Sequence, residues 1–469
     1  MSKRLVIVFC ALLALAFAVP AFAAVQNVKV SGDIIARYIS RSDFDLAKDA
    51  NSSADDISVF NSVVRLRVDA DLTDNVSTTI RLINERNWDE ATVSTTDIDL
   101  DLAYVTLKEF LYSPLTLSIG RQELHFGNDM IIGDGVGNPT AAIVSGGIGT
   151  NQTTNYTEAT GFGGVNGDLA YRKAFDAIRA TLNYDPLVID LVYAKIDANN
   201  ITTDGRSDDI DLWGINAGYK FEDNWNTFAE GYFWSKNNKT ETKAAAISKT
   251  DTVHTIGARV STNPMQKVNL QQEMAYQFGE KVVATGQSRD RSAWASQTIA
   301  TVTPGWKHDP VIGMAYSYFS GDADLTGTNA DKNYHQWDPM FENQMCGHII
   351  NALFAASNAH LINTSLTLKP SFVEDVTING SYCYLLFAKG LSGRVLTLDP
   401  NDYTTGYGFK KDAKSLGQEF DLNLTYDYTE DVQIGLLMGW FWPGAAINKT
   451  ATQHKVTASE VIASIAVKF

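Results

Sequence analysis

The sequence predicts an all-β fold, a transmembrane antiparallel barrel of about 18 strands, and three observations support this prediction. Apolar and polar residues alternate with a period of two in segments of about ten residues, the span of a tilted membrane strand. Beyond the amino-terminal segment, no run approaches the roughly 20 apolar residues of a membrane helix. Both ends of the chain resemble those of exported barrels. Because only helices and closed barrels satisfy their backbone groups in lipid, a membrane fold here must be a barrel.

The amino-terminal segment has the three parts of a secretory signal. Lys3 and Arg4 precede a short apolar run, and the segment closes on the small residues of Ala21-Phe22-Ala23. We therefore expect residues 1–23 to be a signal peptide and residues 24–469 to form one barrel domain.

The carboxyl-terminal segment alternates in the same way as the predicted strands. Val461, Ala463, Ile465 and Val467 share one face with Phe469, on which the chain stops. A last strand ending in Phe resembles the signal that the outer-membrane barrel assembly machinery reads. The expected location is the bacterial outer membrane, as an integral multi-pass barrel in contact with outer-membrane lipid.

The hairpin over residues 61–88 shows the strand pattern most clearly. Val64 and Leu66 alternate with Arg65 and Arg67, a period that a helix cannot turn into a coherent face. A soluble sandwich would show the same alternation, so the hairpin alone does not separate the two folds. The two ends of the chain favour the barrel.

The other strands follow by the same criterion, and their even number suits a single-chain bacterial barrel. The predicted strands cover residues 28–38, 58–72, 76–88, 97–108, 114–126, 174–184, 187–197, 209–221, 225–236, 251–262, 266–279, 288–302, 310–321, 360–370, 375–388, 415–429, 432–443 and 457–469.

The connections alternate between tight turns and long loops, which predicts turns at the periplasmic rim and loops at the extracellular rim. The tight turns are predicted at residues 73–75, 185–186, 222–224, 263–265, 371–374 and 430–431. The long loops are predicted at residues 39–57, 127–173, 237–250, 322–359 and 389–414.

Aromatic residues cluster near predicted strand ends, where interfacial girdles would lie. The main ones are Tyr38, Trp88, Tyr184, Tyr219, Phe221, Trp225, Tyr232 to Trp234, Tyr316, Tyr318, Phe319, Tyr426, Tyr428 and Trp440 to Trp442. General β propensity of aromatic residues explains part of this clustering.

The composition argues against nucleic acid as a partner and leaves open whether the cysteines form a disulfide. The chain has 38 basic and 54 acidic residues, and the signal contains Lys3 and Arg4 but no acid. An acidic chain lacks the basic footprint that nucleic acid requires. Without the signal, two cysteines remain, Cys346 and Cys383. In an exported chain they can form a disulfide, but the sequence gives no geometry for it.

Several short motifs resemble those of the alginate-export family of outer-membrane porins, and their order covers roughly residues 60–445. They are Arg65-Leu-Arg-Val-Asp-Ala-Asp-Leu-Thr-Asp-Asn75, Ala103-Tyr104-Val105, Gly120-Arg-Gln-Glu123, Phe175-Asp-Ala-Ile-Arg179, Ser320-Gly-Asp322, Trp337-Asp-Pro-Met-Phe341 and Gly417-Gln-Glu-Phe-Asp421. The resemblance implies an 18-strand barrel that passes an acidic polysaccharide through a basic lumen. It does not establish the cargo, because one fold serves many functions.

Side chains opposite the lipid face would line a water-filled channel. The alternation assigns to this lumen Lys29, Asp33, Arg37, Arg65, Arg67, Asp69, Asp71, Arg81, Glu85, Asp99, Asp101, Arg179, Glu230, Arg259, Glu273, Lys369, Glu419 and Asp421. Guanidinium groups suit carboxylates, so Arg65, Arg67, Arg81, Arg179 and Arg259 are the candidates for moving a uronate-like anion. The alternative is that Arg81, Glu85, Arg65 and Asp99 form cross-strand ion pairs that stiffen the wall.

Arg121 is a special case. Simple alternation with Leu117 and Ile119 places it toward lipid, where an arginine near the midplane costs roughly 2–4 kcal/mol. A bulge at Gly120 would turn it inward, and the family motif favours that arrangement. We therefore expect an inward Arg121.

Two further expectations concern the long loops and possible ligands. The loop at residues 127–173 or the loop at residues 322–359 is expected to fold inward and narrow the pore. Asp322-Ala-Asp324 has only part of a calcium-loop pattern, so no metal site and no cofactor are expected.

The main prediction is an outer-membrane channel that passes an anionic polysaccharide or similar acidic solute by diffusion along lumen arginines. A general or differently selective diffusion porin is the first alternative, since the lumen is mixed in charge. An outer-membrane hydrolase is disfavoured because neither Gly-x-Ser-x-Gly nor His-Glu-x-x-His occurs, so no enzyme is expected. A scaffold barrel that holds a periplasmic partner or an electron carrier has no feature in its favour.

Overall fold

The computed structural model describes most of the chain after the predicted signal. The described residues are 27–44, 46–48, 56–88, 98–135, 169–197, 209–239, 250–282, 288–323, 332–344, 346–391, 408–448 and 454–469. The predicted signal, residues 1–23, lies outside the described residues.

Within these residues, eighteen antiparallel strands form one closed barrel, as the sequence predicted. Each strand pairs with its neighbours in the chain, and β1 pairs with β18 to close the wall. The strands are β1 (Asn27–Ser42), β2 (Ile57–Thr73), β3 (Val76–Asn87), β4 (Asp99–Leu107), β5 (Leu115–Gln122), β6 (Phe175–Asn183), β7 (Leu187–Asp197), β8 (Ile210–Lys220), β9 (Phe228–Asn238), β10 (Asp251–Met265), β11 (Val268–Val282), β12 (Ser288–Val302), β13 (Val311–Phe319), β14 (Ala359–Leu368), β15 (Val376–Phe387), β16 (Ser415–Asp427), β17 (Val432–Pro443) and β18 (Ala458–Lys468).

A few short elements accompany the barrel. The helix α1 (His348–Leu353) lies in the connection between β13 and β14. Short strands pair Ala47–Lys48 with His454–Lys455 and Gly408–Phe409 with Ile447–Asn448. No helix among the described residues is both long and apolar enough to cross a lipid bilayer.

The connections have the predicted asymmetry, with tight turns at one rim and longer loops at the other. One predicted turn is wrong: residues 263–265 belong to β10, which continues to Met265 past an irregularity in its pairing with β11. Met265 pairs with Val268, so the turn lies at residues 266–267. Asn and Pro at residues 263–264 resemble a turn, but the register shift accommodates them inside the strand.

The outer face of the wall is apolar, as a lipid-facing surface requires. Ile34, Leu66, Ile80, Ile178 and Met314 are all exposed on this face. The opposite parity carries the charged side chains, so alternation separates a lipid side from a lumen side.

Aromatic girdles lie at both rims of the outer face. At one rim the rings of Tyr38, Phe60 and Trp88 pack in a row, with centroids 5.1 and 5.2 Å apart. At the rim of the tight turns, the hydroxyls of Tyr112 and Tyr184 lie 3.0 Å apart. The girdle prediction is wrong for the buried, inward-facing side chains of Tyr232, Trp234, Phe319 and Phe441.

Candidate functional site

The candidate site is a set of charged side chains on the lumen side of β1 to β4, with one further carboxylate just after β5. Arg65 and Arg67 share this face of β2, and the register places Arg67 directly opposite Arg81 of β3. Like charges in opposite positions repel, so the arrangement needs nearby carboxylates.

Each of these arginines has such a carboxylate. Arg65 donates to Asp33 of β1, with Nε 2.8 Å from Oδ1. Arg67 donates two hydrogen bonds to Asp69, from Nε to Oδ2 at 2.7 Å and from Nη2 to Oδ1 at 2.8 Å. Arg81 contacts Asp101 of β4 through Nε and Glu123 through Nη2, both at 2.5 Å. We call these residues the charged ladder: Arg65, Arg67, Arg81, Asp33, Asp69, Asp101 and Glu123.

Part of the charged ladder reaches water. The side chains of Arg67 and Glu123 are each 36% exposed and that of Asp69 is 33% exposed, whereas that of Arg81 is 11% exposed. The three arginines are therefore held in ion pairs with carboxylates of the wall, and Arg67 is the most exposed of the three.

Glu85 and Asp99 bind a loop instead of Arg81. The chain between β5 and β6 returns along the lumen, and its Arg172 contacts both carboxylates, with Nε 3.1 Å from Glu85. The backbone amide of Tyr171 also donates to Glu85, at 2.9 Å. The alternative expected Glu85 and Asp99 to join cross-strand ion pairs with the wall arginines, and this part is wrong because Arg172 of the loop binds both carboxylates.

The Tyr171 ring covers part of the wall near the charged ladder. The guanidinium carbons of Arg65 and Arg37 lie 4.8 and 5.5 Å from its centroid. Arg37 also donates to the backbone oxygen of Leu169 at 3.2 Å. The returning loop thus packs on the lumen arginines of β1 and β2.

Arg179 and Arg259 face the lumen but lie against the outgoing part of the same loop. Arg179 pairs with Asp190 at 2.7 Å, and its guanidinium carbon lies 5.2 Å from the Phe126 ring centroid. Arg259 pairs with Glu230 at 2.6 Å and donates to Asn128 at 2.9 Å. Both arginines therefore help to hold this loop.

The inward prediction for Arg121 is wrong. Arg121 pairs in register with Asp176 of β6, and no shift interrupts the pairing of Ile119 with Ile178 next to it. Because Ile119 and Ile178 face outward, Arg121 does too. Gly120 has φ +126° but inserts no extra residue, so parity is kept. The Arg121 side chain is 41% exposed and lies 3.8 Å from Asp176, a carboxylate partner that eases its place on the outer face.

Two loops fold into the barrel in the parts that the structure describes, in the direction expected for both candidate loops. Residues 123–135 follow β5, and residues 332–344 and 346–358 precede β14. Ile132 and Phe341 form a β-bridge between the two loops. Their buried apolar side chains form one cluster with inward residues of the wall, such as Phe175, whose ring centroid is 5.7 Å from that of Phe341.

A disulfide joins the second loop to the wall. Cys346 bonds to Cys383 of β15, with Cα atoms 5.8 Å apart and a sequence separation of 37. The question that the sequence left open is thus answered, and the bond fixes the loop next to α1.

The helix α1 docks its amino-terminal end on a lumen carboxylate. Glu419 of β16 accepts hydrogen bonds from the backbone amides of Ile349 and Ile350, at 2.7 and 2.6 Å. Gly347 has φ +88°, and a Cβ there would lie 2.5 Å from Glu419 Oε2, so glycine is needed for the close approach. Glu419 therefore anchors the loop and does not line open water.

Asp338 anchors the other part of the second loop. Its carboxylate lies 2.5 Å from Lys236 and 3.8 Å from Arg291, and its backbone exchanges two hydrogen bonds of 2.8 Å with Gln277. Burial would raise the pKa of Asp338, but the cations of Lys236 and Arg291 outweigh burial and lower it. Asp338 is therefore a charged strut inside the barrel.

His125 and Asp129 form a pair within the first loop. Their Nδ1 and Oδ2 atoms lie 3.0 Å apart. The hydrogen bond with Asp129 raises the pKa of His125 above its ordinary value. Glu123 acts in the same direction and Lys173 in the opposite one.

Sequence reasoning found the inward parity of the wall but missed the loop contacts. The available signal was the Trp337-Asp-Pro-Met-Phe341 stretch, whose large apolar residues are unusual in a loop that faces water. In the described part of the chain, no cluster of three or more His, Cys, Asp or Glu side chains is arranged to hold a metal ion.

Comparison with known proteins agrees with this architecture. The family model for alginate export matches residues 27–459. Among solved structures, the fold is similar to OccK3 (OpdO) and OpdQ of Pseudomonas aeruginosa and to OccAB4 of Acinetobacter baumannii. OccK3 is 10% identical with a TM-score of 0.54, covering 95% of this chain and 96% of that chain. OpdQ is 12% identical with a TM-score of 0.53, covering 95% and 98%. OccAB4 is 10% identical with a TM-score of 0.52, covering 96% and 100%. No curated protein matches the sequence.

Proposed function

Because the chain belongs to the alginate-export family of outer-membrane porins, we propose that this channel passes an anionic polysaccharide or a similar acidic solute along the charged ladder. The observation that carries the proposal is the group of three inward arginines on two adjacent strands, with Arg67 and Arg81 in opposite register positions and Arg67 open to water. A row of guanidiniums offers a polyanion several successive contacts.

The geometry of the guanidiniums supports transient binding. Arg65 and Arg81 use Nε and Nη2 for the wall carboxylates, and within the described residues their Nη1 atoms make no hydrogen bond. Each therefore keeps donors while the wall holds its orientation, and those of Arg65, whose side chain is 20% exposed, are more open to a passing carboxylate than those of Arg81, at 11%. A bound solute that competes with resident carboxylates is released easily, as conduction requires.

A general or differently selective porin is the second candidate, and the same residues supply its support. The charged ladder has four carboxylates and three guanidiniums, so its formal charge does not by itself favour anions. In that case the arginines serve as wall struts and ions pass according to size.

Reversal potential across a salt gradient in a planar bilayer distinguishes the two candidates. We expect wild-type channels to prefer anions and the Arg65→Ser, Arg67→Ser, Arg81→Ser triple variant to lose that preference. Block by a uronic-acid oligosaccharide is expected to weaken at least about tenfold in the variant, since charge-assisted hydrogen bonds are lost. Block by a neutral oligosaccharide of equal length should be the same in the wild type and the triple variant.

Arg121→Ser is the matched control for Arg67→Ser. Each variant removes one guanidinium, but Arg121 lies on the outer face and is expected to leave the reversal potential unchanged. Cation preference that survives in the triple variant would overturn the anionic-solute proposal and leave a general porin.

Two further parts of the proposal concern maturation. We propose that residues 1–23 are cleaved and that residues 24–469 form the mature barrel, which the assembly machinery recognises through the strand ending at Phe469. Ala24 is then the first residue of the mature protein, which amino-terminal sequencing checks.

We propose no catalytic role, because the sequence lacks the hydrolase motifs.

A further inference from the structure

A cavity of about 370 Å³ lies in the barrel wall near the extracellular girdle. It occupies the place where β13 ends while β12 continues beyond it. We call it the seam pocket, and its lining includes Trp294, Tyr318, Ser320, Arg289, Asp322 and Lys389.

The seam has a physical cause in the strand pairing. The short strand Asn333–Tyr334 takes the place of β13 beside β12 and pairs with Asp290 and Arg291 in parallel. Ser320 ties the junction together: its hydroxyl donates to the His335 carbonyl at 2.7 Å and accepts from the Trp294 amide at 2.9 Å. The pocket is therefore a preformed part of the wall.

The two aromatic rings of the seam pocket lie on the outer face of the wall. Trp294 is 46% exposed, whereas its neighbours Ala293 and Ala295 are fully buried against the interior. Tyr318 packs beside Trp294, with centroids 4.4 Å apart, and lies between the inward side chains of Ser317 and Phe319. Both rings therefore belong to the outer girdle.

An exposed cation completes the pocket. The backbone of Lys389 is fixed by Asn358 through hydrogen bonds of 2.8 and 3.0 Å. Within the described residues its contacts are these backbone hydrogen bonds, and its ammonium group makes no hydrogen bond or ion pair. Behind it, Arg289 pairs with Asp322 at 3.1 Å. Aromatic faces beside a lysine at a membrane boundary suit a ligand with a sugar ring and a phosphate.

We propose that the seam pocket binds the phosphorylated sugar headgroup of a glycolipid in the outer leaflet. Trp294 and Tyr318 pack against the sugar ring, and Lys389 binds its phosphate. A lipid headgroup is favoured over a solute in transit because both rings share the lipid-facing side of the wall. The inference does not rest on the proposed cargo of the lumen.

Native mass spectrometry of the purified barrel with bisphosphorylated lipid A tests the proposal. Lys389→Gln and Trp294→Leu are each expected to weaken binding about tenfold, the loss of one charge-assisted hydrogen bond or one buried ring contact. Dephosphorylated lipid A should bind wild-type protein as weakly as phosphorylated lipid A binds Lys389→Gln.

The periplasmic rim provides matched control variants. Trp306 is 67% exposed and adjoins the exposed Lys307, yet the turn at residues 303–310 faces the other leaflet. Lys307→Gln and Trp306→Leu should leave lipid A binding unchanged. Retained single-channel conductance shows that each variant is folded.

Two results would overturn the proposal. One is equal lipid A binding by Lys389→Gln, Trp294→Leu and the periplasmic controls. The other is binding of a uronic-acid oligosaccharide at the seam pocket in place of lipid A, which would assign it to the cargo. Neither result bears on the reversal-potential experiment, so the two proposals fail separately.

Discussion

The charged ladder and the wall beneath the two loops are built by the same strand alternation but meet different surroundings. We call the second region the anchor wall: Lys236, Arg259, Arg291 and Glu419, which bind Asp338, Asn128 and α1 of the loops. In the charged ladder, Arg67 is 36% exposed, whereas in the anchor wall Arg291 is 3% exposed. Parity decides which side of the wall a residue faces, and the loops decide whether it meets water.

The difference has an energetic side. A partly exposed pair such as Arg67 with Asp69 contributes little to stability, because water competes and screens. A buried charge costs much when its partner is lost, because nothing else compensates it. The exposed pair of Arg67 and Asp69 is therefore weakly coupled to stability, whereas the anchor wall residues hold the loops.

The largest effect is expected from the bond that joins the second loop to β15. Cys346→Ser with Cys383→Ser, or reduction of wild-type protein, should lower the free energy that holds this loop by up to about 4 kcal/mol, since the bond closes a span of 37 residues. Single-channel conductance should rise or become noisy as the loop leaves the lumen.

The cysteine-free variant controls for side effects of the reductant. Its conductance should match that of reduced wild-type protein and should not change on reduction. Unaltered wild-type conductance after complete reduction would show that the noncovalent contacts of the anchor wall hold the loop alone.

The next largest effect is a difference in stability between variants of two inward arginines that the sequence alone does not distinguish. Arg259→Ser leaves Glu230 buried without its cation and should destabilise the barrel by about 3 kcal/mol. Arg67→Ser should cost less than about 1 kcal/mol, because the pair is exposed to the lumen. Urea unfolding of the refolded barrel in vesicles measures both.

For the same two variants, the order of the effects on ion selectivity should be the opposite of the order of the effects on stability. Arg67→Ser is expected to shift the reversal potential more than Arg259→Ser, whose side chain is 11% exposed. Equal stabilities for the two variants would mean that the loops do not shield Arg259, and the contrast between the regions would fail.

The sequence predicted almost all of the strands that form the wall of this barrel. The predicted bounds of β7 and β17 agree with the structure, because turn residues flank long alternating segments. The prediction for Arg121 failed because a glycine with positive φ resembles a bulge, while only the pairing partner shows whether a residue has been inserted.

The interior was less accessible to prediction than the wall. Glu419 looks like any lumen carboxylate, since nothing in its own strand indicates that the amides of Ile349 and Ile350 will meet it. The contact joins positions about 70 residues apart and depends on how a loop folds. Alternation is a local pattern, and loop docking is a tertiary one.

The smallest effect concerns pH and the first loop. Because the hydrogen bond with Asp129 raises the pKa of His125, the charged pair is complete below the ordinary histidine pKa and is lost as pH rises through the raised value. The pair contributes less than about 0.5 kcal/mol, since the His125 side chain is 48% exposed. Brief conductance fluctuations should therefore become modestly more frequent from about pH 5.5 to about pH 8.5. His125→Gln keeps a hydrogen-bond donor without a titrating charge and should remove this trend. An identical trend in both proteins would assign the pH dependence to other groups of the lumen and leave the first loop held by its other contacts, such as that of Asn128 with Arg259.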